Sequence, residues 1–452
     1  MKKVFLETYG CQMNEYDSQL VCSILKKENY EFVSDELKAD IVLLNTCSVR
    51  EHADRKVYGR VHGIRHARGK DNPVMIGILG CMATHLRQDL LEDRSLKIDF
   101  IAGPDSYKRL PELIHEASQK KHQSYDVTLS EFETYSDVYP SRTEGGVNAW
   151  IAVMRGCNNF CSFCVVPYTR GRERSRSPGN VVDEARRLAE EGFKQVTLLG
   201  QNVNSYRYDN YDFAYLMDEV SKVKGIQRIR FTSPHPKDFP DRLLDLMAVN
   251  PKICKHIHLP LQAGNDRVLD MMNRTYTKEE FLNLVDKIRT KIPNVALTTD
   301  IIVGFPTETD GEFEDTLQVV TKAQFDSAFT FKYSERQGTI AAKKYPDDVP
   351  ETVKTERIMR LNKIQNEITY KKNQAYIGQT HEVLIEPVPQ DKSSKNSVGR
   401  TDTNKLVILL ASPQGGPSNG YKIGDTVKVK ITHATPHALK GQPLSCETLS
   451  FS

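Results

Sequence analysis

The residues with the clearest chemical meaning are three cysteines in one short stretch. Cys157, Cys161 and Cys164 follow the spacing C-x3-C-x2-C, directly after an apolar run at residues 148–154. Three thiolates in one loop can bind three irons of a [4Fe–4S] cluster, and no fourth cysteine stands nearby to bind the last iron. A structural zinc site prefers four protein ligands grouped in C-x2-C pairs, which this stretch does not supply. The spacing therefore predicts a cluster with one open iron that can bind a small molecule.

Three further cysteines, Cys11, Cys47 and Cys81, are distant in sequence but stand in equivalent places. Each follows the carboxyl end of an apolar run that is predicted to be a strand. Because parallel strands place their carboxyl ends along one edge of a sheet, we expect these cysteines to be neighbours. Buried free cysteines are common, and they are the alternative interpretation. Three cysteines at equivalent strand ends favour a second three-cysteine cluster with its own open iron.

The elements that must position these cysteines are indicated by the hydrophobic pattern. Short apolar runs alternate with helical periodicity and predict an α/β domain with a doubly wound parallel sheet over residues 1–118. Residues 119–146 are polar and are interpreted as a connector or an irregular strand pair. A second series over residues 147–373 suits a partial (β/α)6 barrel better than a closed eight-stranded one. Residues 374–452 predict a small antiparallel β-barrel. The strands predicted for the partial barrel are 148–154, 194–199, 227–232, 255–259, 295–303 and 327–333.

The composition is that of a globular protein with nearly balanced charge. The chain has 452 residues, a net charge of +3 and nine cysteines. Its apolar runs are too short to span a membrane and its first residues lack a signal-peptide core, so we expect no membrane partner and a cytoplasmic location. An odd number of cysteines in a reducing compartment disfavours a disulfide framework. The remaining cysteines stand alone and are interpreted as structural: Cys22, Cys254 and Cys446.

Two basic stretches lie close to the cysteines. Residues 170–176 carry four arginines against one glutamate, and residues 50–70 carry seven lysines and arginines against two acids. A run of charge is usually a solvated face. Because these stretches flank both sets of cysteines, positioning of phosphate groups is the functional interpretation. Residues 374–452 carry only eight basic against six acidic residues, which is weak for an electrostatic RNA site.

The C-x3-C-x2-C run, with Phe163 before its last cysteine, resembles the signature of radical S-adenosylmethionine (SAM) enzymes. That resemblance implies that the open iron binds the methionine part of SAM, and that an electron from the cluster cleaves it to a 5′-deoxyadenosyl radical. Two clusters on one chain resemble the methylthiotransferases over nearly the whole length, which implies a C-terminal TRAM barrel that binds RNA. Residues 8–14, 165–171 and 198–206 are most similar to the branch acting on N6-isopentenyladenosine at position 37 of tRNA.

The resemblance also implies the division of work between the clusters. One SAM methylates a sulfur held on the Cys11/Cys47/Cys81 cluster, and a second SAM is cleaved at the other cluster to attack C2 of adenine. The C2–H bond is too weakly acidic for a general base, so a radical makes chemical sense there. The implied partners are the anticodon stem-loop of tRNA, an external low-potential electron donor and a sulfur source, and we expect a monomer.

Six residues at the carboxyl ends of predicted barrel strands lie where barrel enzymes bind ligands. The resemblance implies that they contact SAM or the target base, and that Phe163 belongs to the same site. A glycine in this set would let the backbone approach the adenine of SAM, whereas a structural hydrogen bond is the alternative for the histidine. The six residues are Gly200, Gln201, Asn202, His235, Gln262 and Gly304.

Two other functions remain open at this stage. A methylthiotransferase could act instead on threonylcarbamoyladenosine in tRNA or on an aspartate of a ribosomal protein. A non-catalytic iron–sulfur protein that binds RNA is the alternative from another class, and it predicts no 5′-deoxyadenosine from SAM.

Overall fold

The first third of the chain forms a six-stranded sheet whose strands are all parallel. The computed structural model describes residues 1–48, 51–69, 72–119, 123–142, 146–387, 396–410 and 421–444. In the order β2-β1-β3-β4-β5-β6, apolar strands such as β3 are buried on both faces, as parallel sheets require. The strands are β1 (Lys3–Tyr9), β2 (Glu31–Phe32), β3 (Ile41–Thr46), β4 (Met75–Gly80), β5 (Phe100–Ala102) and β6 (Ser124–Asp126).

Helices cover both faces of this sheet, which confirms the doubly wound prediction. One face packs against α1 and α5, and the other packs against α2, α3 and α4. The helices are α1 (Gln12–Lys27), α2 (Glu51–Arg68), α3 (Cys81–His85), α4 (Arg87–Glu92) and α5 (Leu110–Ser118). The sheet extends beyond residue 118, because β6 lies inside the segment predicted as a connector. That strand has three residues and no apolar run, so the hydrophobic pattern does not reveal it.

The central region is a partial barrel of six parallel strands. Two three-stranded sheets, β7-β10-β13 and β14-β15-β16, continue each other through one bridge between Ile229 and Ile253. The strands are β7 (Asn148–Ala152), β8 (Met154–Arg155), β9 (Arg174–Ser175), β10 (Gln195–Leu199), β11 (Arg207–Tyr208), β12 (Tyr211–Asp212), β13 (Arg228–Phe231), β14 (His256–His258), β15 (Ala296–Val303) and β16 (Ser327–Lys332). All six predicted barrel strands are present, and the two short antiparallel pairs β8-β9 and β11-β12 are additions.

Helices of the central region begin at residues that cap them. Ser177 accepts a hydrogen bond at the start of α7 with Pro178 at its first position, and Thr277 and Thr309 form capping boxes. The helices are α6 (Val166–Arg170), α7 (Pro178–Glu190), α8 (Phe213–Ser221), α9 (Asp241–Val249), α10 (Asp266–Met271), α11 (Lys278–Lys291), α12 (Asp310–Ala323), α13 (Ile340–Lys344) and α14 (Glu351–Gln374). Within the described ranges, no helix is long and apolar enough to cross a membrane.

The C-terminal region is a closed five-stranded barrel in the order β17-β18-β19-β21-β20. Its strands are β17 (Thr380–Glu386), β18 (Val398–Arg400), β19 (Leu406–Leu409), β20 (Thr426–Ala434) and β21 (Leu439–Pro443). The prediction of an antiparallel barrel needs one correction, because β19 and β21 pair in parallel to close the barrel. Arg228 and Arg230 of β13 donate to backbone carbonyls of this barrel, including those of Glu382 and Thr401. These contacts dock the barrel against the central region.

The N-terminal domain also packs directly on the central region. Tyr16 and Leu20 of α1 share one buried apolar cluster with Ala152 of β7 and Leu199 of β10. Burial of this kind stabilises by about 25 cal/mol per Å² of apolar surface. The carboxyl edge of the N-terminal sheet is thereby held beside the loops of the barrel.

Candidate active site

Three strand ends bring Cys11, Cys47 and Cys81, called here the N-terminal triad, to one edge of the first sheet. Cys11 precedes α1, Cys47 follows β3, and Cys81 opens α3. The Cys47 thiol hydrogen-bonds Cys11 and, with nearby Arg170, lowers the pKa of Cys11 to about 6. Burial raises the pKa of Cys81, while Arg170 opposes that shift. The structure therefore assembles three cysteines that are far apart in the sequence.

An asparagine network fixes the two strand ends that carry Cys11 and Cys47. Asn14 Oδ1 accepts hydrogen bonds from the Cys11 backbone N–H (3.4 Å) and thiol (3.3 Å). Its Nδ2 donates to Asn45 Oδ1 (3.3 Å) and to the Thr46 carbonyl (3.2 Å). Asn14 and Asn45 are completely buried, and their bonds hold the start of α1, next to Cys11, against the end of β3, next to Cys47.

The other three cysteines, Cys157, Cys161 and Cys164, are called here the radical triad and lie in the loop between β8 and α6. Burial raises the pKa of the Cys157 thiol to about 11 and that of Cys164 to about 12, and the neighbouring Cys161 adds to both shifts. Arg274 Nη1 donates to Cys161 Sγ at 3.3 Å.

Both triads fit an iron–sulfur cluster by the chemistry of their donors. Thiols whose ionisation is disfavoured by burial, as at Cys81, Cys157 and Cys164, become stable thiolates when a cationic metal centre binds. Among the described residues, no three His, Cys, Asp or Glu side chains converge as ligands of a single metal ion. An iron–sulfur cluster binds its thiolates on different irons, so its ligands need not converge on a single ion. Cys254 lies beside Arg228 and Arg230, and Cys22 beside Lys26, so neither joins a triad.

The loop of the radical triad depends on Gly156. This residue has φ of +74°, and a Cβ there would overlap the carbonyl of Arg172. We expect Gly156→Ala to cost about 1–3 kcal/mol from the backbone conformation alone, and to lose the iron bound by the radical triad. Iron and sulfide quantification on anaerobically prepared protein measures this loss.

Gly179 provides the matched control for that substitution. It lies in the first turn of α7, where a Cβ meets nothing within 4 Å. Gly179→Ala is therefore expected to keep the full iron content and to gain about 0.4–1 kcal/mol of stability. An unchanged iron content in Gly156→Ala would show that the loop tolerates a different backbone.

Two of the predicted SAM-contacting residues carry unpartnered polar atoms. Asn202 Oδ1 and His235 Nε2 are buried without a hydrogen-bond partner in the described structure. Burial, aided by Arg274, lowers the pKa of His235 to about 3. His235 Nδ1 accepts from the Lys237 N–H at 3.2 Å, so Nε2 carries the proton of the neutral ring. One buried acceptor and one buried donor are thus available to a ligand.

The remaining predicted contacts have more varied surroundings. At Gly200, a Cβ would lie 2.8 Å from Met154 Cγ, directly before the triad loop. Gln262 has φ of +67° and bridges to Ile301. Phe163 is half-buried against the barrel core, and Gln201 is half-buried after β10.

Gly304, which is predicted to let the backbone approach the adenine of SAM, packs against a lysine side chain. Its φ is +70°, and the Lys354 side chain fills the space where a Cβ would stand. Its N–H donates to Glu308 Oε2 at 2.6 Å, and burial raises the pKa of that carboxyl to about 7. The glycine therefore admits a side chain of this chain.

The basic stretch at 170–176 is a correction to the sequence analysis. Three of its arginines are buried and bonded to carboxylates: Arg170 to Asp17, Arg174 to Asp105 and Arg176 to Glu184. Such residues are unsuited to bind a tRNA phosphate, because their guanidinium groups are buried and paired with carboxylates inside the protein. The fourth arginine, Arg172, lies over the ring of Phe160.

Residues 50–70 are corrected in part for the same reason. Arg60 pairs with Glu7 and Glu36, and Arg65 pairs with Asp99. Arg68 donates to the backbone carbonyls of residues 36 and 39. Arg50, Lys70 and the side chain of Arg55 lie outside the described part of the chain.

Asp17 and Arg274 are buried beside the triads, and the sequence analysis did not single them out. Asp17 is completely buried and binds both Arg155 and Arg170, at 2.5 and 2.8 Å. Asp17 lies three residues after Asn14 on α1, so both side chains are on the helix face near Cys11. This spacing is the feature of the sequence from which Asp17 could have been identified. Arg274 follows α10 and carries no recognisable motif.

The elements that carry the two triads pack against each other across the domain boundary. Helix α3 begins with Cys81 and packs against α6, which begins two residues after Cys164. Arg170 at the end of α6 donates from Nε to Cys81 Sγ at 3.1 Å. The elements that carry the two triads are therefore in direct contact.

Comparisons with known proteins agree with this arrangement. Residues 3–103 match the uncharacterized protein family UPF0004, residues 151–320 the radical SAM superfamily, and residues 374–444 the TRAM domain. The fold resembles that of the radical SAM methyltransferase TsrM from Kitasatospora setae, with a TM-score of 0.57, 16% identity and coverage of 75% of this chain and 74% of that one.

Curated relatives cover almost the whole chain. Proteins named tRNA-2-methylthio-N(6)-dimethylallyladenosine synthase from Phocaeicola vulgatus and Chloroherpeton thalassium are 43% and 44% identical, and each match covers 98% of this chain and 96% of the relative. The synthase from Porphyromonas gingivalis is 44% identical, with coverage of 99% and 96%. This chain therefore belongs to the tRNA-2-methylthio-N(6)-dimethylallyladenosine synthase family of radical SAM proteins.

Proposed function

We propose that this chain converts N6-isopentenyladenosine, also called N6-dimethylallyladenosine, at position 37 of tRNA to its 2-methylthio derivative, using two molecules of SAM. The observation that carries the proposal is the pair of cysteine triads on two domains, brought together where α3 packs on α6. One triad alone suits SAM cleavage, whereas thiolation of an unactivated C–H bond also needs a sulfur carrier. The names of the relatives support the choice of substrate.

The chain's own contribution to this reaction is position and exclusion of water. Bound clusters would supply the electron that cleaves SAM and the iron that carries sulfur. The six triad cysteines would hold them, and buried Arg170 and Arg274 would stabilise the thiolates. Holding base, sulfur and the 5′-carbon together avoids the entropy cost of three separate encounters.

The unpartnered atoms of Asn202 and His235 support a SAM site at the carboxyl ends of β10 and β13. An acceptor suits the hydroxyls of ribose, and the neutral imidazole N–H suits an oxygen or ring nitrogen of SAM. Phe163, Gly200, Gln201 and Gln262 complete this proposed site. Gly304 is assigned to it only through its backbone, since Lys354 packs against it.

The target base is proposed to enter the barrel from the side of β16. Thr298 and Asp300 alternate along β15 with core residues, so they face the lumen, and Asp300 stands opposite Phe329. Phe329 is 56% exposed although it lies on a barrel strand. His258 Nε2 lies 3.2 Å from Asp300 Oδ2, and its ring meets Phe329 edge-on. An exposed ring beside an imidazole and a carboxylate suits a stacked, hydrogen-bonded purine.

Phe329→Ala is expected to raise the KM for an isopentenylated anticodon stem-loop about tenfold, because one base stack is worth ~1–3 kcal/mol. Steady-state kinetics with that RNA measure the change. Phe132→Ala is the matched control, since Phe132 is 85% exposed and lies outside the barrel. Equal KM values for both variants would place the base elsewhere.

The proposal includes partners that complete the reaction. An external low-potential electron donor and a sulfur source are needed because the chain's residues supply neither. The TRAM barrel, docked on Arg228 and Arg230, is placed to extend the RNA-binding surface. We assign the enzyme to the cytoplasm as a monomer.

Nucleoside analysis of RNA from a strain lacking this protein tests the proposal. Loss of 2-methylthio-N6-isopentenyladenosine with accumulation of N6-isopentenyladenosine is the expected result. Loss of the methylthio form of threonylcarbamoyladenosine instead would assign the other tRNA substrate. Unchanged nucleosides, together with no 5′-deoxyadenosine from the reduced protein and SAM, would support the non-catalytic alternative.

A further inference from the structure

The Arg170 side chain joins the radical core to a cysteine of the N-terminal triad by a hydrogen bond. It ends α6, so it belongs to the radical core, and it is 2% exposed. Its Nε donates to Cys81 Sγ at 3.1 Å and its Nη2 to Asp17 Oδ2 at 2.8 Å. The side chain therefore crosses the domain boundary, and two hydrogen bonds to the N-terminal domain fix its guanidinium group.

The charges around Arg170 do not balance within the protein. Asp17 is a single carboxylate that binds both Arg155 and Arg170, with the Tyr107 hydroxyl as a further donor. Asp105 also faces these arginines but is bonded to Arg174, so Arg155, Arg170 and Arg174 share two carboxylates, and one positive charge is left beside Cys81 and Cys11. Arg170 Nη1 is buried without a hydrogen-bond partner in the described structure. Buried charge without compensation is costly, so an anionic group is expected at the triad. A cluster bound by thiolates is such a group.

The radical triad has a comparable arginine with different partners. Arg274 Nη1 donates to Cys161 Sγ at 3.3 Å, but its other donors reach the Tyr276 hydroxyl and the Pro260 carbonyl. Each triad thus receives one guanidinium hydrogen bond on one sulfur. Only Arg170 is held by a carboxylate and comes from the opposite domain.

We propose that Arg170 is a positioning residue that sets the reduction potential of the N-terminal cluster and ties that cluster to the radical core. The inference rests on the proposed function in one respect, namely that Cys11, Cys47 and Cys81 hold a cluster. A hydrogen bond and a positive charge at a ligand sulfur stabilise the cluster more after it gains an electron than before. Asp17 holds the guanidinium in that geometry.

The test is an anaerobic redox titration of the N-terminal cluster alone. The reference protein carries Cys157→Ala, Cys161→Ala and Cys164→Ala, so that one cluster gives the electron paramagnetic resonance signal. Dithionite supplies the single electron taken up. Adding Arg170→Gln is expected to lower the midpoint potential by about 59 mV, which is a tenfold fall in the ratio of reduced to oxidised cluster at a fixed potential.

Two further variants make the result specific. Arg176→Gln is the matched control, because Arg176 is equally buried but binds Glu184 and Tyr16 and no cysteine. It is expected to leave the midpoint unchanged. Arg170→Lys keeps the charge beside Asp17 and protects the fold, and we expect a smaller shift in the same direction.

The outcomes separate this inference from the proposed function. Midpoints of Arg170→Gln and Arg170→Lys equal to the reference would overturn the role of Arg170. If the glutamine variant loads no iron, the lysine variant decides, and an unchanged midpoint there has the same meaning. If the reference protein itself binds no cluster at the N-terminal triad, the proposed function fails instead.

Discussion

Replacing Cys161 with alanine is expected to abolish 5′-deoxyadenosine formation and methylthio transfer together. Cys161 is the middle cysteine of the radical triad and accepts the hydrogen bond of Arg274. Its loss removes one of three protein ligands and leaves a buried guanidinium without its sulfur partner. We expect SAM cleavage to fall by more than about 100-fold, beyond the cost of losing an outer-sphere contact.

The measurement is the 5′-deoxyadenosine released from SAM by the reduced, cluster-loaded protein under anaerobic conditions. Cys254→Ala is the matched control, because Cys254 is also buried in the central region but belongs to neither triad. That control is expected to keep its activity. Undiminished 5′-deoxyadenosine from Cys161→Ala would remove the radical triad from the mechanism.

The N-terminal triad could be predicted because its placement follows from backbone geometry. Cys11, Cys47 and Cys81 each follow a strand, and the strands are adjacent in the order β1-β3-β4. Parallel pairing aligns their carboxyl ends whatever the side chains are, so position in the pattern was enough. The same reasoning placed the radical triad after the first strands of the barrel. This reasoning does not detect strands as short as β6, because three residues are too few to show the alternation of apolar and polar side chains that is typical of a strand.

The arginines show where sequence reasoning stops. A solvated arginine and a buried, paired one look identical in a charge pattern, since the difference lies in the partner. For Arg170 that partner is Asp17, 153 residues away in the sequence. Four arginines in seven residues therefore suggested a phosphate site, while three of them bond to Asp17, Asp105 and Tyr16 of the N-terminal domain. Burial of a charge is decided by tertiary packing, which local sequence does not encode.

Gly304 illustrates a related limit for backbone positions. A glycine after a strand correctly indicates that a side chain is excluded, and φ of +70° agrees with that. What excludes the side chain is Lys354 from α14, fifty residues later in the sequence. The sequence pattern predicts that no side chain fits at position 304, and only the fold shows that Lys354 occupies that space.

The second large effect is expected from Cys47→Ala, which separates the two triads by function. Cys47 bonds to Cys11 through its thiol, while its backbone N–H donates to the Tyr9 carbonyl at 2.9 Å. Alanine keeps the backbone bond and removes the sulfur, so the sheet edge stays intact while one of three ligands is lost. The radical triad lies on another domain with its own arginine. We therefore expect 5′-deoxyadenosine to form at nearly the reference rate, with no 2-methylthio product.

This separation follows from the way the domains are joined. The contact between them includes the Arg170–Asp17 pair, the Arg174–Asp105 pair and the apolar face of α1, all of which the Cys47→Ala variant retains. Cys22→Ala is the matched control, because Cys22 lies on α1 outside the triad, and it is expected to keep both activities. Mass spectrometry of the RNA product and chromatography of 5′-deoxyadenosine measure the two outcomes in one reaction. Unimpaired thiolation by Cys47→Ala would contradict the sulfur-carrying role of the N-terminal triad, because two cysteines would then suffice where the geometry assembles three.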